Sequence, residues 1–134
     1  MRAALIAYAG ALVSFLALDF IWLSFMTGRL YRPALGDLLR ARPDLVPAII
    51  FYLIYASAMT ALAVLPNLHT GGAGRAALSG AVLGLAAYAT YNLSNLATLK
   101  TYSVTVTIVD TAWGAVVTAA ACWIAWRLTA AFGA

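Results

Sequence analysis

The chain alternates between long apolar segments and short polar connections. The apolar segments cover residues 3–26, 45–65, 75–99 and 102–126. About 20 consecutive apolar residues in a helix cross the hydrocarbon core of a bilayer, which is roughly 30 Å thick. The pattern therefore predicts an all-α, polytopic membrane protein with four transmembrane helices, in a single transmembrane domain over residues 1–134.

The connection between the first and second predicted spans, residues 27–44, has a helical pattern of its own. The apolar side chains share one helical face: Tyr31, Ala34, Leu35, Leu38 and Leu39. Arg29, Arg32 and Arg40 fall on the opposite face. We expect a short amphipathic helix that lies in the membrane interface, with these arginines on lipid headgroups. A polar loop is the alternative.

The start of the fourth span has a conflicting local pattern. Residues 103–109 read SVTVTIV and alternate polar with apolar side chains, which by itself is typical of a strand. A lone strand cannot satisfy its backbone hydrogen bonds in lipid. We therefore expect a helix there, with an irregular first turn or two.

The composition agrees with a membrane protein and narrows its chemistry. The chain is 65% hydrophobic and 9% charged, whereas soluble domains are about 45–50% apolar and about 25% charged. Eight Lys and Arg against four Asp give a net charge of +4, which indicates headgroup contact rather than nucleic-acid binding. With one cysteine, Cys122, and one histidine, His69, we expect no internal disulfide, metal site or cofactor.

The distribution of cations predicts an orientation in the membrane. The connections after the first and third spans carry five of them: Arg29, Arg32, Arg40, Arg42 and Lys100. The opposite side carries Arg2, Arg75 and Arg127. By the positive-inside rule, both termini are expected outside the cell inner membrane.

Polar residues lie at one depth in all four predicted spans. Asp19, Tyr52, Asn92 and Asp110 are each seven or eight residues from a span end on the same membrane face. At 1.5 Å per residue, this depth is roughly 10–12 Å. The predicted polar layer consists of nine side chains: Asp19, Asp110, Asn92, Asn95, Tyr52, Tyr55, Tyr88, Trp22 and Trp113.

Two spacings suggest how this layer is built. Asp19 and Trp22 are three residues apart, and Asp110 and Trp113 repeat that spacing. Gly80 and Gly84 form a small-xxx-small pair that allows a neighbouring helix to approach closely. No Lys or Arg lies within a span to neutralise the aspartates, so we expect at least one of them to carry or share a proton near neutral pH.

Five stretches together resemble a family of small bacterial integral membrane proteins that is known only as a domain of unknown function. They are DFIWLSFM (19–26), YRPALG (31–36), FYLIYA (51–56), YATYNLSNLATLK (88–100) and VDTAWG (109–114). The resemblance covers nearly the whole chain. It implies four helices and a membrane location, but no activity.

Three functions are compatible with the sequence. The favoured one is a bundle, expected to be a dimer, that binds or translocates an ion or a small hydrophobic or cationic molecule through a proton-titratable polar layer. The second is an enzyme that acts on a lipid or isoprenoid with Asp19 and Asp110 as an acid–base pair. The chain lacks a Ser–His pairing and an Asp-rich diphosphate motif, which disfavours the enzyme. The third is a structural subunit of a larger membrane complex.

Overall fold

The architecture is a bundle of long helices, seen in a computed structural model that describes residues 1–133. The α-helices are α1 (Arg2–Met26), α2 (Arg32–Leu35), α3 (Leu45–Met59), α4 (Gly72–Thr98) and α5 (Val104–Phe132). Within the described residues, four continuous helical segments are long and apolar enough to cross a membrane: Arg2–Leu38, Leu45–Asn67, Gly72–Thr98 and Val104–Phe132. The predicted all-α fold with four spans is confirmed.

The first helical segment is longer than the sequence pattern predicts. A π-helical turn over Thr27–Tyr31 joins α1 directly to α2, and a 3₁₀ turn over Gly36–Leu38 ends the segment. The chain becomes extended at Leu39. The separate interfacial helix is therefore not confirmed, because the π-turn carries the backbone hydrogen bonding of α1 through the polar residues without interruption.

Side-chain caps fix where two of the helices begin. The carboxylate of Asp44 accepts a hydrogen bond from the backbone N–H of Val46 at 3.1 Å and starts α3. The hydroxyl of Ser103 accepts one from the N–H of Val106 at 3.0 Å and starts α5. The alternating residues thus form a helix from Val104 onwards, as expected for a segment in lipid, but the expected irregular first turn is not found because the Ser103 cap starts a regular helix.

Helices α4 and α5 make the closest packing in the bundle. A Cβ atom on Gly84 would overlap the backbone carbonyl of Gly114, and one on Gly80 would come within 2.8 Å of the Thr118 carbonyl. Gly114 in turn lies directly under the Tyr88 ring. The predicted close approach at Gly80 and Gly84 is confirmed, and the neighbouring helix is α5.

Helix α5 also packs along α1, whereas α3 is attached mainly by its second half. Phe15, Tyr55 and Met59 are buried together in the centre of the bundle. The Tyr55 hydroxyl lies 2.7 Å from Thr118 Oγ1 and links α3 to α5. The first half of α3 is largely exposed. A space is therefore left between this part of α3 and the other helices.

Candidate functional site

A cavity of about 530 Å³ occupies this space, on the side of the bundle where α1 ends and α5 begins. Its volume lies within the range of about 300–1,000 Å³ that is usual for small-molecule sites. All four membrane segments contribute to its lining: Asp19, Leu23, Thr27, Tyr31, Leu35, Leu39, Phe51, Tyr52, Tyr88, Tyr91, Tyr102, Val106 and Asp110. Both intramembrane aspartates thus face the same cavity.

Asp110 is held by two donors from different helical segments. The Tyr31 hydroxyl lies 2.5 Å from Oδ1, and Asn92 Nδ2 donates to Oδ2 at 2.7 Å. Each carboxylate oxygen therefore has a hydrogen-bond partner inside the protein. Hydrogen bonds to both oxygens allow a carboxylate to stay buried without a cation beside it.

Asn92 is fully buried, and both the nitrogen and the oxygen of its side-chain amide form hydrogen bonds. Its Nδ2 donates to the Tyr88 carbonyl at 2.9 Å as well as to Asp110, and its Oδ1 accepts from the Tyr102 hydroxyl at 2.8 Å. If the amide were turned over, its oxygen would face a carbonyl and a carboxylate. The network therefore sets the orientation of the amide, and Asn92 serves as a fixed donor behind Asp110.

Asp19 is bound by a second, separate pair of donors. The Tyr52 hydroxyl donates to Oδ2 at 2.9 Å, and Trp113 Nε1 donates to Oδ1 at 3.3 Å. The Asp19 side chain is 9% exposed. As at Asp110, the two partners are neutral, and no Lys or Arg contributes to the lining of the cavity among the residues described.

The two aspartate clusters are joined by a pair of stacked indoles. The rings of Trp22 and Trp113 lie 4.3 Å apart at an angle of 5°. Trp22 Nε1 donates to the Tyr31 hydroxyl at 2.9 Å, and Tyr31 contacts Asp110. An unbroken set of contacts therefore runs from Asp19 through both tryptophans and Tyr31 to Asp110.

Seven of the nine residues predicted for the polar layer lie in this network or line the cavity: Asp19, Asp110, Asn92, Tyr52, Tyr88, Trp22 and Trp113. Tyr55 does not line the cavity and instead contacts Thr118 and Phe15. Asn95 lies one turn beyond Asn92 and does not line the cavity. The three headgroup candidates Arg29, Arg32 and Arg40 are exposed.

Tyr31 is the main site residue that the sequence pattern missed. It lies twelve residues after Asp19, so a regular α-helix would place the two side chains about 120° apart. The π-turn absorbs one residue and brings Tyr31 back to the face of Asp19. The cavity is consequently lined at every fourth residue of this segment, by Asp19, Leu23, Thr27, Tyr31 and Leu35.

Tyr102 was missed for a different reason. It lies in the connection between α4 and α5, where helical periodicity assigns no face to a side chain. The only sequence signal was its position at the predicted start of the fourth span, directly after Lys100 and Thr101. Its contact with Asn92 depends on how this connection folds back over the end of α4.

The arrangement is chemically suited to a positive charge. Two aspartates and five tyrosines line one cavity whose other lining side chains are mostly apolar. Carboxylates and the faces of aromatic rings both attract cations. Within residues 1–133, no group of three or more His, Cys, Asp or Glu side chains could hold a metal ion.

Four helices that can cross a bilayer, with a cavity between them that contains two aspartates, define a multi-pass integral membrane protein. The chain belongs to the family described as "Predicted membrane protein (DUF2177)", whose model matches residues 4–127. The family resemblance noted from the sequence is thereby confirmed. A search of curated proteins and a search of solved structures each found no match.

Proposed function

We propose that this protein binds a small, positively charged organic molecule in the cavity and moves it across the membrane in exchange for protons. The observation that carries the proposal is the shared cavity of Asp19 and Asp110, which is lined by five tyrosines and by no Lys or Arg among the described residues. An anion would meet two carboxylates there without a compensating charge. A cation would be attracted by both.

The aromatic lining supports an organic cation rather than a metal ion. Tyr52 and Tyr88 both line the cavity, and the ring centroids of Phe51 and Tyr52 lie 5.6 Å apart. Aromatic faces contribute about 0.5–2 kcal/mol to binding a cation, and quaternary ammonium groups are commonly recognised in this way. A hydrated metal ion would instead require several oxygen ligands and room for its water.

Proton exchange follows from the position of the two carboxylates in a cavity that no Lys or Arg lines among the described residues. When the cation leaves, a proton can replace it on Asp19 or Asp110 and neutralise the charge. The Tyr52 hydroxyl, which donates to Asp19 Oδ2, can rotate to accept a hydrogen bond from the protonated acid. Ionisable residues inside membrane segments commonly mark such ion and proton pathways.

We further propose that the protein works as a dimer in the cell inner membrane with both termini outside. The five cations on the connections after the first and third spans support this orientation. Arg29, Arg32 and Arg40 are exposed near the end of the first helical segment, which suits contact with lipid phosphates. In this orientation the cavity lies towards the cytoplasmic face.

Transport of butyltrimethylammonium into proteoliposomes tests the proposal. This cation is permanently charged, so it does not cross lipid as a neutral amine. With an acidic interior, we expect uptake by the wild type, a decrease of about tenfold or more in Asp19→Asn and Asp110→Asn, and a simultaneous rise in internal pH. Asp37→Asn, which changes an exposed aspartate outside the cavity, is the matched control and should transport normally.

The same samples can also contradict the proposal. Wild-type protein that neither binds nor takes up the cation would refute the proposed function. Uptake that is unchanged in both Asp→Asn variants would refute the role of the carboxylates. Native mass spectrometry of the purified protein tests the proposed dimer independently, since a monomer in mild detergent and in lipid nanodiscs would contradict it.

A further inference from the structure

The cavity has an opening on the side of the bundle, between α3 and α4. Phe51 on α3 and Tyr91 on α4 line the cavity, yet they are 43% and 60% exposed. Of the other lining residues, only Leu23 on α1 is comparably exposed, at 41%, whereas Asp19 is 9% exposed. Phe51 and Tyr91 therefore lie where the cavity meets the outer surface of the protein.

A contact between Tyr55 and Tyr88 closes the gap between α3 and α4 on one side of this opening. Their rings make an edge-to-face contact with centroids 6.5 Å apart, which joins α3 to α4. Phe51 lies four residues before Tyr55, and Tyr91 lies three residues after Tyr88. Because consecutive spans cross the membrane in opposite directions, Phe51 and Tyr91 are both about one turn from this contact on the same side.

The opening faces the hydrocarbon of the bilayer. In α3, residues 45–54 are exposed except for Ala48 and Tyr52, and they are apolar all round. The contacts of this helix with α4 come mainly from the π-helical turn Thr60–Val64 that follows it. A helix that is apolar all round and not buried in protein belongs in lipid. The first half of α3 thus stands away from α4 within the membrane.

We infer that the ligand is an amphiphile, with an ammonium group and a long alkyl chain, that enters the cavity sideways from the membrane. The ammonium group is neutralised by Asp19 and Asp110 at the inner end, and the chain leaves between Phe51 and Tyr91 into the acyl chains of the lipid. Negative charge at the inner end and exposed aromatic side chains at the outer end favour this occupant. The inference rests on the proposed function, because it uses the same two carboxylates.

Two cations that differ only in chain length test the inference: butyltrimethylammonium and dodecyltrimethylammonium. Binding is measured by calorimetry on protein in lipid nanodiscs, with the signal of empty nanodiscs subtracted. The variants Phe51→Trp and Tyr91→Trp enlarge the two side chains that flank the opening. Leu93→Trp is the matched control, because Leu93 is an exposed residue of α4 that does not line the cavity.

We expect dodecyltrimethylammonium to bind wild-type protein at least about tenfold more tightly than the butyl compound, since its long chain stays in the acyl region of the lipid while the ammonium group is bound. Either tryptophan at the opening should weaken binding of the dodecyl compound more than binding of the butyl compound, so that the ratio falls towards one, whereas Leu93→Trp should keep the ratio. A ratio near one in the wild type, or a ratio that neither variant changes, would overturn lateral entry while the proposed function stands. If wild-type protein binds neither cation, both proposals fail.

Discussion

Trp113 on α5 donates a hydrogen bond to Asp19 on α1, so the tryptophan of one Asp-x-x-Trp pair binds the aspartate of the other pair. Trp22 is directed instead to Tyr31, which contacts Asp110. Helices α1 and α5 cross the membrane in opposite directions, so the tryptophan of one pair lies level with the aspartate of the other. The stacking of the two indoles therefore connects the cluster around Asp19 with the cluster around Asp110.

Replacement of Trp113 by Phe should separate its hydrogen bond from its stacking. Phenylalanine keeps an aromatic ring against Trp22 but leaves Asp19 Oδ1 without its donor. We expect a decrease of about 1 kcal/mol in the free energy of unfolding, measured by denaturing-detergent titration in mixed micelles. Trp123→Phe, at a surface position 44% exposed, is the control. Equal effects of the two substitutions would contradict a role for the indole N–H.

Loss of the Tyr31 hydroxyl should be more damaging than loss of an exposed one. Tyr31→Phe removes a donor from Asp110 and an acceptor from Trp22 at once. We expect a loss of about 2 kcal/mol in the free energy of unfolding. Tyr8→Phe removes a single exposed hydrogen bond to the Leu53 carbonyl and should cost less than about 1 kcal/mol. The order of the two losses is the measured result, and the reverse order would refute the network.

The π-turn predicts opposite effects for a deletion and an insertion. Deletion of Gly28 would convert the turn to a regular helix and keep Tyr31 on the face of Asp19, because the turn holds one extra residue. Insertion of an alanine after Gly28 would rotate Tyr31 by about 100°. We expect the deletion to retain most of the stability and the insertion to lose as much as Tyr31→Phe.

A double variant checks the reason for the effect of the insertion. If the insertion acts by moving Tyr31 away from Asp110, adding Tyr31→Phe to it should cause little further loss of unfolding free energy. Gly28→Ala is the conservative control, since a Cβ atom there meets nothing within 4 Å. Additive losses, or a deletion as harmful as the insertion, would contradict this explanation.

The contact between α4 and α5 predicts different outcomes for two Gly→Ala substitutions in one helix. A methyl group at Gly84 collides with the Gly114 backbone, which cannot move aside as a side chain could. We expect Gly84→Ala to lower the unfolding free energy by about 1–3 kcal/mol. Gly74→Ala adds its methyl group to open space in the first turn of α4 and should raise stability by about 0.5–1 kcal/mol. Thermal or detergent unfolding measures the stability of both variants, and a Gly84→Ala variant as stable as Gly74→Ala would contradict the close contact.

The proposed orientation predicts which connections react with a membrane-impermeant maleimide in intact cells. Thr70→Cys lies in the connection on the outer side and should be labelled, whereas Asp37→Cys should react only after the membrane is opened. Cys122 is buried and provides an unreactive background. Labelling of Asp37→Cys alone in intact cells would reverse the orientation and place the cavity towards the outside.

The depth of the polar layer was predictable because the rise of a helix per residue is fixed. Counting from the span ends placed Asp19, Tyr52, Asn92 and Asp110 at one level, and the structure brings three of them to one cavity with Asn92 directly behind Asp110. Asn95 and Tyr55 also had suitable positions along their helices. They lie outside the cavity because the direction of a side chain around the helix axis is decided by packing.

By itself the sequence determined that this chain is a four-helix membrane protein, and it identified the two aspartates and the pair Gly80 and Gly84. Hydrophobic length and helical rise are local properties, so neighbouring residues suffice to specify them. The tertiary structure alone decided that Trp113 rather than Trp22 binds Asp19, and that Tyr31 reaches Asp110. Both contacts depend on the antiparallel crossing of α1 and α5, which are distant in sequence. The contact of Tyr31 also depends on the residue absorbed by the π-turn, which a regular helical period does not predict.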